Sequence, residues 1–280
     1  MEFELMNSNR TNSDISISVV GGAGKMGILL AGILKDKVDT IQIVSRDVER
    51  AQKAAKELNV SWLPFEEAHQ SSIVIVSVPI QETVKVCKRL AKKMHDQSLL
   101  VELASLKTGI TENIKNSIPD YVEYLSLHPL FGPQVKDIVD KKFVAVEPVS
   151  GFLTNRFLEI LQECGALIKK ATIEEHDLAM ASIQVLHHFA LITFSSALSR
   201  FSEGNGLSEY LTESIEKTLQ NIQNMNENWN TIYAIQNLNP HAQKVREIFA
   251  EVAKQSIDAK NITKEPLYQT ITLLRNSYKN

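Results

Sequence analysis

One segment near the start of the chain has the spacing of a nucleotide-binding site. Residues 22–27 read Gly-Ala-Gly-Lys-Met-Gly, the pattern G-x-G-x-x-G, and follow a β-branched run at residues 15–20. Such a turn lets the backbone approach a pyrophosphate, whose charge the N-terminus of the following helix attracts. Because strand, turn and helix occur in this order, the pattern predicts a dinucleotide-binding site. The residues expected to bind the dinucleotide are Gly22, Ala23, Gly24, Lys25, Met26 and Gly27.

The end of the second predicted strand bears on which dinucleotide binds. Proteins that bind NAD commonly place an acidic residue there, where it hydrogen-bonds the ribose 2′-hydroxyl. This chain has Ser45 and Arg46, which can donate to a 2′-phosphate, and Asp47 follows them. These residues favour NADP, with NAD as the alternative if Asp47 reaches the ribose rather than capping the next helix. After the third strand, Val78 and Pro79 are expected to cover the cofactor.

Polar residues that could act on a substrate follow two later strands. Ser105 and Lys107 come after the run at residues 99–103, and His128 ends the run that begins at Tyr124. Ligands of open α/β sheets bind beyond the carboxyl ends of the strands, so these residues are predicted to face the cofactor. A neutral His128, with the ordinary histidine pKa of about 6.5, could take a proton from a hydroxyl as a hydride leaves the same carbon. The alternative is a histidine that only hydrogen-bonds within the fold.

The elements that carry these residues alternate between short β-branched runs and helical stretches. Strands are predicted at residues 15–20, 40–45, 73–78, 99–103, 124–127, 143–146 and 166–169. This alternation is typical of an α/β fold with a doubly wound, mostly parallel sheet of the Rossmann type. We expect the dinucleotide-binding domain to span residues 15–172, after a flexible lead-in at residues 1–14.

The chain changes character after the last predicted strand. Residues 174–201 contain no glycine or proline and repeat apolar residues at helical spacing. A helix of that length exceeds most helices of globular proteins. Its apolar positions, among them Leu178, Val185 and Ile192, need a partner surface. We therefore predict an all-α domain over residues 173–280 that binds substrate and forms a homodimer through its helices.

Composition argues against several other classes of protein. Hydrophobic residues make up 44% of the chain and charged residues 22%, which provides enough apolar material for a folded core. A net charge of −3 leaves no basic excess for nucleic acid. The apolar runs are shorter than the roughly 20 residues that a membrane span needs, and Cys87 and Cys164 lack metal-ligand spacing. We expect a cytoplasmic protein without nucleic acid, membrane or metal as partner.

Several of these segments together resemble the prephenate/arogenate dehydrogenase family of tyrosine biosynthesis. The resemblance covers roughly residues 15–200, and the His-Pro-Leu-Phe-Gly-Pro run at residues 128–133 is its most specific part. The other matching segments are residues 20–27, 76–80, 103–107, 175–177 and 184–190. The resemblance implies oxidative decarboxylation, in which a hydride passes to a nicotinamide cofactor, carbon dioxide leaves and the substrate's ring becomes aromatic.

The resemblance also implies roles for individual residues. His128 would hydrogen-bond or deprotonate the ring hydroxyl of prephenate. Ser105 would hydrogen-bond His128 or the hydroxyl oxygen and hold the imidazole in the right tautomer. His188, on the long helix, would reach the substrate from the second domain. His176 and Asp177, at the start of that helix, are assigned a structural or interface role.

One feature departs from the family pattern, in which an arginine of the helical domain anchors a substrate carboxylate. Residues 211–225 contain no arginine, and Lys217 is their only cation. We expect Lys217 and Lys107 to bind the substrate's carboxylates, the alternative for Lys217 being a surface lysine. A lysine lacks the bidentate fork of arginine, so the affinity for substrate is expected to differ.

Prephenate is the leading substrate within the family. Arogenate, which carries an amine where prephenate carries a ketone, is the close alternative. A 3-hydroxyacid or imine reductase would share the two-domain organisation but usually depends on a lysine or aspartate. A nucleotide-sensing protein without catalysis would keep the glycines but would not need Ser105, His128 and His188 together.

Overall fold

The computed structural model describes residues 15–202 and 207–277, so the lead-in predicted at residues 1–14 lies outside the described residues. The strands are β1 Ser16–Val20, β2 Thr40–Val44, β3 Ser61–Leu63, β4 Ile73–Val76, β5 Leu99–Glu102, β6 Glu123–Pro129, β7 Lys142–Val146 and β8 Leu167–Ala171. They form one sheet in the order β3-β2-β1-β4-β5-β6-β7-β8. Neighbours are parallel except β6 and β7, which are antiparallel. The predicted doubly wound, mostly parallel sheet is confirmed.

Helices connect the strands and make up the part of the chain that follows β8. The α-helices of the described residues are α1 Lys25–Leu34, α2 Val48–Leu58, α3 Ile80–Ala91, α4 Thr111–Lys115, α5 Phe152–Glu163, α6 Ile173–Met180, α7 Leu186–Ser202, α8 Glu213–Glu227, α9 Trp229–Leu238, α10 Ala242–Gln255 and α11 Glu265–Ser277. Short 3₁₀ turns lie at Phe65–Gln70, Leu207–Tyr210 and Ala259–Asn261. Sequence analysis missed β3, because three half-exposed or exposed residues at the edge of a sheet give no alternating pattern.

The register of the sheet brings four strand ends to one edge. Val20 pairs with Val76, Val76 with Glu102, and Glu102 with Ser126. Because β1, β4, β5 and β6 are parallel, the segments that leave their carboxyl ends start at the same level. The glycine turn, Ser77–Pro79, the Ser105 loop and His128 therefore share one edge, as the sequence predicts. These strands are buried on both faces, which explains their near-continuous apolar sequences.

A long helix packs the second half of the chain onto this sheet. It runs without a break from α6 into α7 through a π-helical turn at Ala181–Val185. Ala181 and Val185 belong to the same buried cluster as Val76 of β4 and Ala104, which follows β5, and Ile235 of α9 joins them. Burial of Val185 within its own chain contradicts the prediction that a second copy covers it.

The sequence predicts no segment long and apolar enough to span a bilayer, and the same long helix shows that this prediction was wrong. Ile173–Phe201 meets that criterion by length and composition alone. Its apolar residues are dispersed at helical spacing, so a search for uninterrupted runs does not detect them. The helix packs on the sheet through Ala181 and Val185, and it begins with two buried polar residues, His176 and Asp177. We therefore interpret it as a helix of the folded domain.

Candidate active site

In the glycine turn after β1, backbone segments pack so closely that side chains would not fit between them. Gly21 has a φ angle of +81°, and a Cβ atom on it would overlap the carbonyl oxygen of Ser77. Gly27 lies so close to Gly22 that a Cβ atom there would also overlap backbone. The tight turn therefore depends on Gly21, one residue before the G-x-G-x-x-G pattern, and Gly27 lets α1 pack against it.

The start of α1 fits the pyrophosphate of a dinucleotide. Gly24 is its N-cap, so no side chain caps the first N–H groups, and the first turn contains no acidic residue. Free N–H groups and the positive end of the helix dipole make such a turn an anion site. Lys25, the first residue of α1, adds a cation, and its Nζ atom lies 2.6 Å from Oε2 of Glu227 in α8.

The residues after β2 separate into two roles. Asp47 caps α2 by accepting a hydrogen bond from the Arg50 backbone N–H at 3.0 Å. Arg46 is exposed, and Ser45 beside it is half-buried. The Arg50 guanidinium donates to the carbonyl oxygen of Ala23 at 3.3 Å, which brings a second arginine against the glycine turn. Sequence analysis did not single out Arg50, because nothing in its local pattern indicates that it reaches back to residue 23.

Three buried side chains form a hydrogen-bonded chain at the end of β6. Nδ1 of His128 lies 2.8 Å from Nε2 of His176, and Nδ1 of His176 lies 2.7 Å from Oδ1 of Asp177. His128 and His176 are each only 2% exposed, and Asp177 is fully buried. His128 of the sheet and the first turns of the long helix thus form one polar cluster, although sequence analysis assigned His176 and Asp177 only a structural or interface role.

Backbone contacts hold Asp177 in this cluster. Its carboxylate accepts hydrogen bonds from the N–H groups of Lys107, at 3.2 Å, and Thr108, at 2.7 Å. A capping box begins the helix: Thr172 accepts from the Glu175 N–H, and the Glu175 carboxylate accepts from the Thr172 N–H. The capping box, visible in the sequence as T-x-x-E, is the signal that could have placed the start of the helix at Thr172.

The chain of contacts determines which nitrogen of His128 is free. The Asp177 carboxylate can only accept, so Nδ1 of His176 carries the proton and Nε2 of a neutral His176 has the lone pair. His128 then donates from Nδ1, which leaves the lone pair on its own Nε2. Ser105 makes no described hydrogen bond to His128, so the prediction that Ser105 holds the tautomer is corrected: His176 and Asp177 do so.

The environment keeps His128 neutral. Burial, the Lys107 ammonium and His176 together lower the pKa of His128 well below its usual value. This corrects the expectation of an ordinary histidine pKa. Burial opposes ionisation of Asp177, but hydrogen bonds from His176 and Thr108 lower the pKa of its carboxyl group overall. These shifts favour an ionised Asp177 and a neutral His128.

Lys107 occupies a different place from the one predicted. Its side chain is fully buried, and Nζ lies 2.7 Å from Oε1 of Glu102 while donating to the carbonyl oxygen of Leu127 at 3.2 Å. Glu102 also accepts from Ser126 Oγ at 2.6 Å and from the Ala104 N–H at 2.7 Å. The prediction that Lys107 binds a substrate carboxylate is therefore wrong. The ammonium instead ties the Ser105 loop to the strand that carries His128.

Replacing Lys107 with methionine is expected to destabilise the fold by about 3–5 kcal/mol, because it leaves the Glu102 carboxylate buried without its partner. The double variant Glu102→Gln/Lys107→Met removes both charges and should recover part of that loss. Chemical denaturation measures both. Lys115→Met, which breaks the half-exposed Lys115–Glu147 pair, is the control and should cost about 1 kcal/mol or less. A loss for Lys107→Met no larger than this control would contradict the prediction.

The two residues of the helical part that were predicted to bind substrate differ in burial. Lys217 is on an exposed face of α8, and its ammonium lies 2.6 Å from Oε1 of Glu213, which matches the surface-lysine alternative. His188 is half-buried on α7, and burial, followed by the neighbouring His187, lowers its pKa to about 4. No described hydrogen bond links Lys217 or His188 to His128.

This strand order and glycine turn, with a helical half packed on the sheet, define a Rossmann-type dinucleotide-binding protein with a helical second part. Residues 30–168 match the family model described as "Prephenate dehydrogenase, nucleotide-binding domain". The chain belongs to the prephenate/arogenate dehydrogenase family, as the motifs predicted.

Individual relatives agree with this assignment. The chain is 28% identical over 255 residues to a "Probable arogenate/prephenate dehydrogenase" of Methanocaldococcus jannaschii, covering 87% of this chain and 56% of the relative. The structure of Synechocystis arogenate dehydrogenase has a TM-score of 0.63 at 20% identity and covers 94% of this chain and 100% of its own. Aquifex aeolicus prephenate dehydrogenase with hydroxyphenyl propionate and NAD⁺ has a TM-score of 0.64 at 15% identity, covering 98% and 100%. At these identities the two structures establish a shared fold.

The matches cover only part of each of these curated relatives. The chain spans about half the length of the curated relatives it matches, between 40% and 56% of each. The activity of the complete relatives therefore enters the account of this chain as a proposal.

Proposed function

We propose that the protein catalyses the oxidative decarboxylation of prephenate, or of its amino analogue arogenate, with a nicotinamide dinucleotide as hydride acceptor. The observation that carries the proposal is the buried chain from Asp177 through His176 to His128, which leaves a neutral Nε2 lone pair at the cofactor edge of the sheet. A neutral base in that position suits removal of a hydroxyl proton. The family assignment supplies the class of substrate.

The residues of this chain have three tasks in the proposed reaction. His128 accepts the proton of the hydroxyl on C4 of the ring. A bound nicotinamide dinucleotide would supply the acceptor for the hydride that leaves that carbon. On the substrate, the bond from C1 to the ring carboxylate breaks to release carbon dioxide, and its electron pair completes the aromatic ring. The phenolate oxygen then recovers the proton from His128. His176 and Asp177 orient the base, and Ser105 is proposed to donate to the reacting oxygen atom.

The experiment that tests this function follows reduced cofactor by absorbance. Prephenate and arogenate are each supplied with NAD and with NADP. The proposal expects reduction with at least one of the two substrates. Reduction with neither substrate, by a correctly folded protein that binds NAD or NADP, would overturn it.

We propose NADP as the preferred cofactor, with NAD as the alternative. Asp47 is occupied as a helix cap, which leaves Ser45, Arg46 and the nearby Arg50 as the side chains that face a 2′-phosphate. Arginine binds phosphate through paired donors and remains charged at any physiological pH.

Arg46→Asp should therefore weaken NADP far more than NAD, because a repelling carboxylate replaces a phosphate partner. We expect the ratio of the two values of kcat/KM to shift toward NAD by at least about tenfold, equivalent to about 1.4 kcal/mol. Steady-state kinetics with each cofactor measures the ratio, and Arg89→Asp, in the last turn of α3, is the control. A wild-type enzyme that strongly prefers NAD would show that Ser45 and Arg46 were misread.

We also propose a homodimer through the helical part. Apolar side chains on the outer face of the long helix remain exposed: Leu178 by 52%, Ile183 by 60% and Phe194 by 37%. Beside them, α7, α8 and α9 line an open groove of about 220 Å³ that includes Leu191 and Trp229. Exposed apolar surface of this extent is typical of an interface, and a second copy offers the same face in a two-fold arrangement.

Light scattering should accordingly give twice the mass of one chain at micromolar concentration. Ile183→Glu places a charge in the proposed interface and is expected to shift the mass toward one chain. Val149→Glu, at an equally exposed apolar residue before α5, is the matched control and should leave the dimer intact. A wild-type protein that is monomeric under these conditions contradicts the proposed dimer.

A further inference from the structure

An ion pair joins the cofactor turn to the helical half of the chain. The Lys25 ammonium lies 2.6 Å from Oε2 of Glu227, a residue 202 positions later in the sequence. Lys25 is the first residue of α1, directly after the N-cap Gly24, and Glu227 is the last residue of α8. A carboxylate of the helical half is therefore held within the length of one lysine side chain of the turn that fits a pyrophosphate.

Glu227 depends on Lys25 for a favourable environment. It lies at the C-terminal end of α8, where the negative end of the helix dipole disfavours a carboxylate. The hydrogen bond from Lys25 and the charge of its ammonium group lower the pKa of Glu227, so the carboxylate is negatively charged at neutral pH. Met225 is the buried residue of α8, and the other residues of this helix are exposed or half-buried. The ion pair thus helps to hold the end of α8 at the cofactor turn.

A bound dinucleotide would compete with Glu227 for the same cation. Its pyrophosphate carries negative charge on both phosphates and fits the uncapped N–H groups in the first turn of α1. Side chains of a helix lean toward its N-terminus, so the Lys25 ammonium is on the side of the phosphate oxygens. Two anions beside one ammonium group repel each other, and the pyrophosphate has the backbone N–H groups as additional partners. The competition therefore favours the pyrophosphate over the carboxylate.

Exposure of the ion pair allows this exchange to occur readily. The side chain of Lys25 is 65% exposed and that of Glu227 is 51% exposed. An ion pair between exposed side chains contributes little free energy, so a ligand that makes several contacts can break it. The released carboxylate can then be solvated by water without a change elsewhere in the fold.

We propose that Glu227 controls the affinity of the enzyme for its dinucleotide. In the free enzyme its carboxylate occupies Lys25, and the pyrophosphate displaces it, which releases the end of α8 from the cofactor turn. The proposal rests on the dinucleotide binding of the proposed function and is independent of which ring substrate reacts. It gives the helical half, which supplies His176 and Asp177 to the base, a second role in cofactor binding.

Calorimetry measures the predicted effect with ADP, which carries the pyrophosphate, and with NADP and NAD. Glu227→Gln keeps the size of the side chain and removes its charge, so Kd should fall by about threefold to fivefold, within the range of an exposed ion pair. This gain should shrink as salt rises from about 0.1 M to about 1 M, because the screening length falls from about 10 Å to about 3 Å. Glu213→Gln is the matched control and should leave Kd unchanged, since Glu213 forms an equally short, exposed ion pair with Lys217 in the same helix.

A double-mutant cycle separates competition for Lys25 from a general effect of charge. Lys25→Met should weaken the binding of ADP, because a cation beside the phosphates is lost. Adding Glu227→Gln to Lys25→Met should then change Kd by less than about twofold, because no cation remains to compete for. A gain as large as in the wild-type background would show that Glu227 acts by repulsion alone, and would overturn the proposed competition.

The fluorescence of Trp229 tests the release of α8. Trp229 lies two residues after Glu227, and Trp62→Phe makes it the only tryptophan of the chain. ADP should change the emission of Trp229 where Glu227 is present, and should change it much less in Glu227→Gln, where the ion pair is already absent. Equal changes with and without the carboxylate, or no change in either protein, would overturn the proposed displacement.

The binding data also separate a failure of this inference from a failure of the proposed function. An unchanged or raised Kd for ADP, NADP and NAD in Glu227→Gln overturns the inference and leaves the proposed function standing. A folded wild-type protein that binds none of the three ligands overturns the proposed function and the inference with it.

Discussion

Replacing His128 with asparagine is expected to lower kcat by about 10²–10⁴-fold, the usual loss when a general base is removed. Asparagine can keep a hydrogen bond to His176 but has no lone pair of suitable basicity to take the hydroxyl proton. Cofactor binding should stay near normal, because the glycine turn and α1 follow β1, whereas His128 belongs to β6. Steady-state kinetics and a cofactor titration by fluorescence measure the two effects.

His95→Asn, at an exposed histidine that precedes the amino end of β5, is the matched control and should leave kcat unchanged. Retention of more than a tenth of the wild-type kcat in His128→Asn would remove His128 from the mechanism.

The pH dependence of the wild type provides a second observation on the same residue. The base accepts a proton only in its neutral form, which predominates above its pKa. Because burial, Lys107 and His176 lower the pKa of His128, kcat/KM should hold its plateau to a pH below the ordinary histidine value of about 6.5. An acidic limb assigned to His128 at or above that pH would contradict the buried, neutral base.

The second large effect is expected at a residue that does not touch the substrate. Asp177→Ala removes the acceptor of the His176 Nδ1 proton, so His176 can place its proton on Nε2 instead. His128 must then carry its own proton on Nε2, where it blocks the base. Loss of the analogous orienting aspartate in serine proteases lowers kcat by about 10⁴-fold, and we expect a loss of about 10²-fold or more here.

Two comparisons separate orientation from a general structural defect. Glu174→Ala changes an exposed carboxylate in the same helical turn and should leave kcat within about twofold of wild type. Asp177→Glu retains the carboxylate and should recover part of the activity lost in Asp177→Ala. Near-normal kcat in Asp177→Ala, or no recovery in Asp177→Glu, would show that the tautomer of His128 does not depend on this carboxylate.

The fold and the cofactor edge follow from local patterns in the sequence. Buried parallel strands are short apolar runs, and a glycine turn between a strand and a helix is recognisable without knowing what lies around it. His128 could be predicted for the same reason, since it ends a strand whose neighbours in the sheet are implied by the alternation of elements.

The side-chain partners could not be predicted in this way. His176 and His128 are 48 residues apart, and their contact depends on how the long helix docks on the sheet. The sequence predicts that Lys107 is a cation beside the substrate site. In the structure its ammonium group is buried, because it pairs with the carboxylate of Glu102 at the end of a buried strand. Only the packing shows whether a charged side chain meets a ligand or a buried partner.

The most direct test of the proposed reaction measures carbon dioxide and reduced cofactor in the same sample. Wild-type protein receives arogenate or prephenate with excess NADP or NAD, and both products are followed over the first turnovers. The account predicts one carbon dioxide released for each cofactor reduced, at a rate that falls by about 10²–10⁴-fold in His128→Asn. Cofactor reduction without carbon dioxide, or equal rates in wild type and His128→Asn, would contradict it.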